Sequence, residues 1–181
     1  MFIKSESNSG RDWLILQPLL DDVIELCTML LDNINIWVSS NAALVIARIS
    51  IEEAGCARIL AHHMAHKIFT KLITSLGSDN AGRGMNCAFA IGRICDDEAR
   101  REELLKVVNS KTLVESLSRM IEVNSDNGCT KNACFALSSL AATKSTANVV
   151  IEHNNFDSLL NNLCDLLLTN SDAETQWFSA M

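Results

Sequence analysis

Tyrosine is absent from this 181-residue chain, proline occurs once and glycine seven times. That scarcity of turn formers and of β-favouring aromatics excludes an all-β architecture and fits helices joined by short connections. No apolar run reaches the roughly 18–20 residues that a membrane span needs. Among seven cysteines there is no C-x-x-C pair, and the count is odd, so buried thiols in a reducing compartment are expected. Basic charge is in deficit: 15 Lys and Arg face 22 Asp and Glu, for a net charge of −7. Such a balance argues against partners such as nucleic acid or an anionic membrane. The start, Met1 to Asp12, is polar and lacks a hydrophobic signal core. A flexible arm over residues 1–12 is expected, with no secretory route.

What the chain does have is apolar sequence, 48% of its residues, with only 20% charged, enough to bury a substantial core. Much of it repeats. Asn41-Ala-Ala-Leu-Val-Ile-Ala-Arg-Ile49, Asn86-Cys-Ala-Phe-Ala-Ile-Gly-Arg-Ile94 and Asn132-Ala-Cys-Phe-Ala-Leu-Ser-Ser-Leu140 start 45 and 46 positions apart (86 minus 41, 132 minus 86). One, two and six places after each Asn the residues are small: Ala42, Cys87 and Ala133; Ala43, Ala88 and Cys134; Ala47, Gly92 and Ser138. Three and five places after it they are large: Leu44, Phe89 and Phe135; Ile46, Ile91 and Leu137. Small columns let helices approach closely and large ones fill the space between.

A second helix recurs upstream with the same period. Val23, Ile68, Leu113 and Leu159 match, as do Ile24, Phe69, Val114 and Leu160; Cys27, Leu72, Leu117 and Leu163; and Leu31, Leu76, Ile121 and Leu167. Within each copy they form one helical stripe. Shorter helices are expected over 52–60, 97–108 and 146–153, the middle one capped by Asp96 or Asp97. A weak leading helix near Arg11–Leu16 precedes Pro18, which would open the next helix. Connections are expected around Gly77–Gly84 and Asn124–Gly128, with Gly82-Arg83-Gly84 read as a turn. Each unit therefore holds three helices, and a period near 45 is that of stacked helical repeats. The repeats fall at about 13–50, 51–95, 96–142 and 143–181, the last cut short. The register of the final helix, Asp172 onward, stays open, and its Trp177 and Phe178 mark an end that docks or self-associates, or a truncated fragment.

The third-helix sequences Asn86-Cys-Ala-Phe-Ala-Ile-Gly-Arg-Ile-Cys-Asp96 and Asn132-Ala-Cys-Phe-Ala-Leu-Ser-Ser-Leu140 resemble the third helix of armadillo repeats, as in the catenins and importin alpha. The resemblance covers roughly residues 19–181. It implies an all-α, right-handed α-α superhelix of about four repeats with incomplete ends, whose third helices line a concave groove for extended partner segments. In the importin branch the groove carries a Trp with an Asn four residues later. Here the matching pairs are Leu44 with Arg48, Phe89 with Arg93 and Phe135 with Ser139, so that mode of nuclear-signal binding is not expected. A similar texture occurs in proteins of ciliary and dynein-arm assembly.

Asn41 and Arg48, Asn86 and Arg93, and Asn132 and Ser139 are each seven apart and share a helix face. Stacked units would align them into a ladder in which Asn holds a peptide main chain and Arg grips carboxylates. With Leu44, Phe89 and Phe135 they form the expected partner-binding groove. The alternative for Asn is bracing a neighbouring loop. His62, His63 and His66, with Cys56 nearby, lack the Glu of a zincin motif, and no metal or other cofactor is expected. Asp96, Asp97, Glu98, Glu102 and Glu103, interleaved with Arg100 and Arg101, are read as a solvated face. Lys67, Lys71 and Arg83 make at most a small basic patch. No nucleotide or hydrolase fingerprint occurs. The expectation is a non-catalytic protein-binding scaffold, cytoplasmic, or else nuclear or ciliary. The second reading is a structural segment of a larger scaffold docking through its C-terminal end.

Overall fold

The structure, a computed structural model, describes residues 10, 13–78, 80–122, 127–169 and 172–181. Apart from Gly10, the residues of the expected arm, Met1–Asp12, lie outside the described residues, as do 123–126 of the second expected connection. Eleven α-helices follow in order among the described residues: α1 (Leu20–Leu30), α2 (Ile36–Ile49), α3 (Glu53–Ala61), α4 (Ala65–Leu76), α5 (Ala81–Cys95), α6 (Glu98–Val107), α7 (Ser110–Glu122), α8 (Asn127–Ala141), α9 (Lys144–Ile151), α10 (Phe156–Thr169) and α11 (Ala173–Ala180). Trp13–Ile15 add one short turn of helix, and Pro18 sits in the turn that follows rather than opening α1.

The third helices α2, α5, α8 and α11 pack side by side in that order, and the second helices α1, α4, α7 and α10 do the same behind them. The small columns explain why. Ala42, Ala43, Cys87, Ala88, Ala133 and Cys134 are all buried, and a Cβ placed on Gly92 would come within 2.5 Å of the Phe135 ring. Only glycine lets α8 close on α5 there. Beneath lie Ile24, Ile68, Phe69, Leu72, Leu113, Val114 and Leu117, the second-helix stripe. In α10 the stripe holds at Leu159, which is buried, but Leu160 is exposed, Leu163 and Leu167 are half-buried, and Leu166 is buried outside it. The last unit thus departs from the shared spacing.

Three expectations need correction. Gly82-Arg83-Gly84 is not a turn but the first turns of α5, which begins at Ala81 with Asn80 as its cap. A Cβ on Gly82 would meet Ser40 Oγ at 2.6 Å, so glycine is there for close approach to α2. Asn127 and Gly128 likewise already belong to α8. Arg101 is not on a solvated face. It is 2% exposed, and its Nη1 donates to the carbonyls of Cys95 (2.6 Å) and Ser139 (2.9 Å) near the C-terminal ends of α5 and α8. The partial negative charge of two helix ends takes the place of a carboxylate. Arg101 Nε is buried without a partner among the described residues.

Candidate functional site: the third-helix cleft

Asn35 starts α2 by accepting from Trp37 N and Val38 N, and Asn80 starts α5 by accepting from Arg83 N. The Asn80 amide also donates to Ile36 O, 3.0 Å away, which ties the two third helices together at their N-termini. With both helices fixed in this way, residues spaced seven apart on each are carried to one face.

That face holds an open cleft of about 240 Å³ lined by Leu44, Ala47 and Arg48 of α2, by Ile51 just beyond it, by Asn86 and Phe89 of α5, and by Asn132 of α8. Five of the nine residues expected in the groove therefore meet in one hollow spanning three units. Leu44 and Phe89 give it an apolar floor. Arg48 is exposed and, among the described residues, makes no ion pair or hydrogen bond through its side chain. The Asn86 amide is likewise without a protein partner there. Asn132 donates from Nδ2 to Met85 O at 3.0 Å, which braces α8 on α5 and leaves its amide oxygen as an acceptor.

The other four expected residues are placed differently. Asn41 is exposed on α2 outside the lining of the cleft. Arg93 spans the seam: Nη2 donates to Ile51 O at 2.9 Å, and Nη1 pairs with Asp96 at 2.8 Å. Its charge is largely spent inside the fold. Phe135 extends an aromatic row, 6.1 Å from Phe89 and 5.0 Å from Phe178 between ring centroids. Ser139 is buried, and its carbonyl is bonded by Arg101. At the end of the chain, Phe178 is half-buried against Phe135, while Trp177 is exposed with its ring 5.1 Å from Phe178.

The histidine segment has a structural role. His62 is buried; its Nδ1 accepts from Met64 N at 3.2 Å and its Nε2 faces Asp21 O at 3.3 Å, so the proton sits on Nε2 and both nitrogens are engaged. The basic patch shrinks to Lys67, which is exposed, since Lys71 pairs with Asp32 and Arg83 bonds Leu31 O and Ser78. Five cysteines are buried, and burial pushes the thiols of Cys87 and Cys95 up to about 12 and that of Cys56 to about 11. None of the three is a reactive thiolate at neutral pH.

Sequence reasoning missed the arginine braces, Arg83 to Leu31 O, Arg93 to Ile51 O and Arg101 to the carbonyls of Cys95 and Ser139, which stand beside the bracing by Asn80 and Asn132. Only the recurrence of Asn and Arg at fixed places hinted at it.

No protein-family model and no curated protein matches the chain. Solved structures do. One engineered protein matches 87% of this chain at 19% identity with a TM-score of 0.71, and a second matches 88% at 21% with 0.70. A designed armadillo repeat protein, solved in complex with the peptide (KR)4, matches 85% at 16% with 0.66. This chain spans 60% of the length of each. Identity at that level carries the fold alone, and the fold is an all-α, armadillo-like helical repeat. No helix among the described residues is long and apolar enough to cross a membrane.

Proposed function

We propose that the chain is a non-catalytic protein-interaction module that takes an extended partner segment along the face of its third helices. The cleft across α2, α5 and α8 carries the reading, because it combines an apolar floor with unpaired polar groups. Leu44 and Phe89 would take an apolar side chain. Asn86 and the Asn132 oxygen would hold the main chain, and Arg48 would bind a carboxylate. A designed protein of like fold was solved with a peptide, which supports the mode of binding and not the choice of peptide. With Arg48 unpaired, the preferred segment is acidic and apolar rather than basic. The buried free thiols fit a reducing compartment, and the cytoplasm is the proposed location.

The test is pull-down from cell extract with wild type and Arg48→Glu, each checked by circular dichroism. Loss of the captured partners at unchanged helicity supports the reading. Identical capture by the two proteins would remove the cleft from consideration. Arg93 is a poorer probe, because reversing it also breaks its bond to Ile51 O.

A further inference from the structure

The units can be compared position by position on their outer surface, and the first one differs. Met29 of α1 corresponds to Thr74, Arg119 and Asp165, 45, 90 and 136 residues on (74 minus 29, 119 minus 29, 165 minus 29), and all four are exposed. Ile36 of α2 corresponds to Ala81, Asn127 and Ala173, again exposed in every unit. These places face outward even in units flanked on both sides, so stacking does not decide their exposure. Leu26 adds to the contrast, because its counterparts are Lys71, Ser116 and Asn162. Ile34, 99% exposed, and Trp37, 73% exposed, stand at the same corner, where α1 turns into α2. Leu26, Met29, Ile34, Ile36 and Trp37, each more than half exposed, give the first unit an apolar corner, although Trp37 differs from Met29 and Ile36 in that its counterparts Gly82 and Gly128 are half-buried. Keeping so much apolar surface in water is unfavourable and marks a contact surface.

On its α1 side the border of this corner is acidic. Asp22 and Glu25, one turn before Leu26 and Met29, have no ion pair among the described residues, and Asp32 lies at the end of α1 beside Lys71. A second copy of the chain would bring like charges together around the apolar centre. We infer that this corner docks a basic amphipathic helix of another protein, whose apolar stripe covers Leu26, Met29, Ile36 and Trp37 while its flanking Lys or Arg residues meet Asp22 and Glu25. The corner is distinct from the third-helix cleft and does not depend on it.

The test uses the full chain and two labelled peptides patterned as amphipathic helices, one of Leu and Lys, the other of Leu and Glu, followed by fluorescence anisotropy. The Leu/Lys peptide binds and the Leu/Glu peptide does not. Met29→Glu or Trp37→Ser weakens binding by about tenfold or more, as loss of an interface anchor does. Asp22→Lys with Glu25→Lys inverts the peptide preference, while Glu98→Lys with Glu102→Lys, an equal charge change elsewhere, does not. Equal binding of both peptides, or binding untouched by Met29→Glu, overturns the inference. So does a wild-type dimer that Met29→Glu turns into a monomer in sedimentation, which would assign the corner to a second copy. Binding that appears only after residues 1–9 are deleted would assign it to the chain's own start, and equally overturns it.

Discussion

The seam between α5 and α8 and the outer corner of α1 and α2 are built on one 45-residue template and use it in opposite ways. In the seam, Gly92 and small neighbours bring two helices together until Phe135 touches the α5 backbone region, and Asn132 and Arg101 bond the carbonyls that remain. At the corner, Met29 and Leu26 stand where other units carry Thr74, Arg119 and Asp165 and Lys71, Ser116 and Asn162, and Ile36 stands where they carry Ala81, Asn127 and Ala173. Buried columns that follow the period hold the stack together. Departures from the period on exposed columns point instead to what lies outside it.

The sharpest break of this comparison is Ile91→Ala, in the core beside Gly92 on α5, against Trp37→Ala, at the corner. Ile91 is fully buried, and its truncation is expected to lower unfolding free energy by about 2–5 kcal/mol in a denaturant titration. Arg101→Met comes next, at about 1–3 kcal/mol, because it removes the donor shared by Cys95 O and Ser139 O. A loss near zero would mean that shedding a buried charge offsets the lost bonds. Alkali gives a third effect. Folding holds the thiols of Cys56, Cys87 and Cys95 protonated up to about 11–12, whereas the unfolded chain ionises them near 9.0. The native state therefore keeps protons that the unfolded state releases. Stability is fully present below pH 9 and falls as pH rises from 9 toward 11. Cys→Ser at Cys87 and Cys95 should flatten that fall in thermal melts across this range, uncomplicated by tyrosine, which the chain lacks. Smallest of all, Trp37→Ala and Met29→Ser should shift unfolding by no more than about 0.5 kcal/mol, since neither side chain is packed. A large loss there would make the corner part of the core.

Much of the fold was legible because burial in a stack of helices imposes the same volume at the same place in each unit. The columns at Ala43, Ala88 and Cys134 and at Ile46, Ile91 and Leu137 are buried as the period requires. Glycine misled: Gly82 and Gly84 read as a turn, yet they lie in α5, and at Gly82 it is the close approach of Ser40 on α2, not a backbone bend, that disfavours a Cβ. Arg101 misled for a related reason, since its partners are carbonyls at helix ends that no side-chain pattern reveals. The cleft was half legible. The repeated columns named Leu44, Arg48, Asn86, Phe89 and Asn132, but they could not tell Arg48, unpaired among the described residues, from Arg93, which is bonded to Ile51 O.

The central claim is that the third-helix cleft selects an acidic, apolar segment. Anisotropy of a labelled peptide of alternating Leu and Asp, measured beside the (KR)4 peptide on wild type and Arg48→Glu, tests it most directly. The Leu/Asp peptide is predicted to bind wild type, to lose about tenfold or more on Arg48→Glu, and to outcompete (KR)4. Preference for (KR)4, or affinity indifferent to the charge at Arg48, would contradict the account.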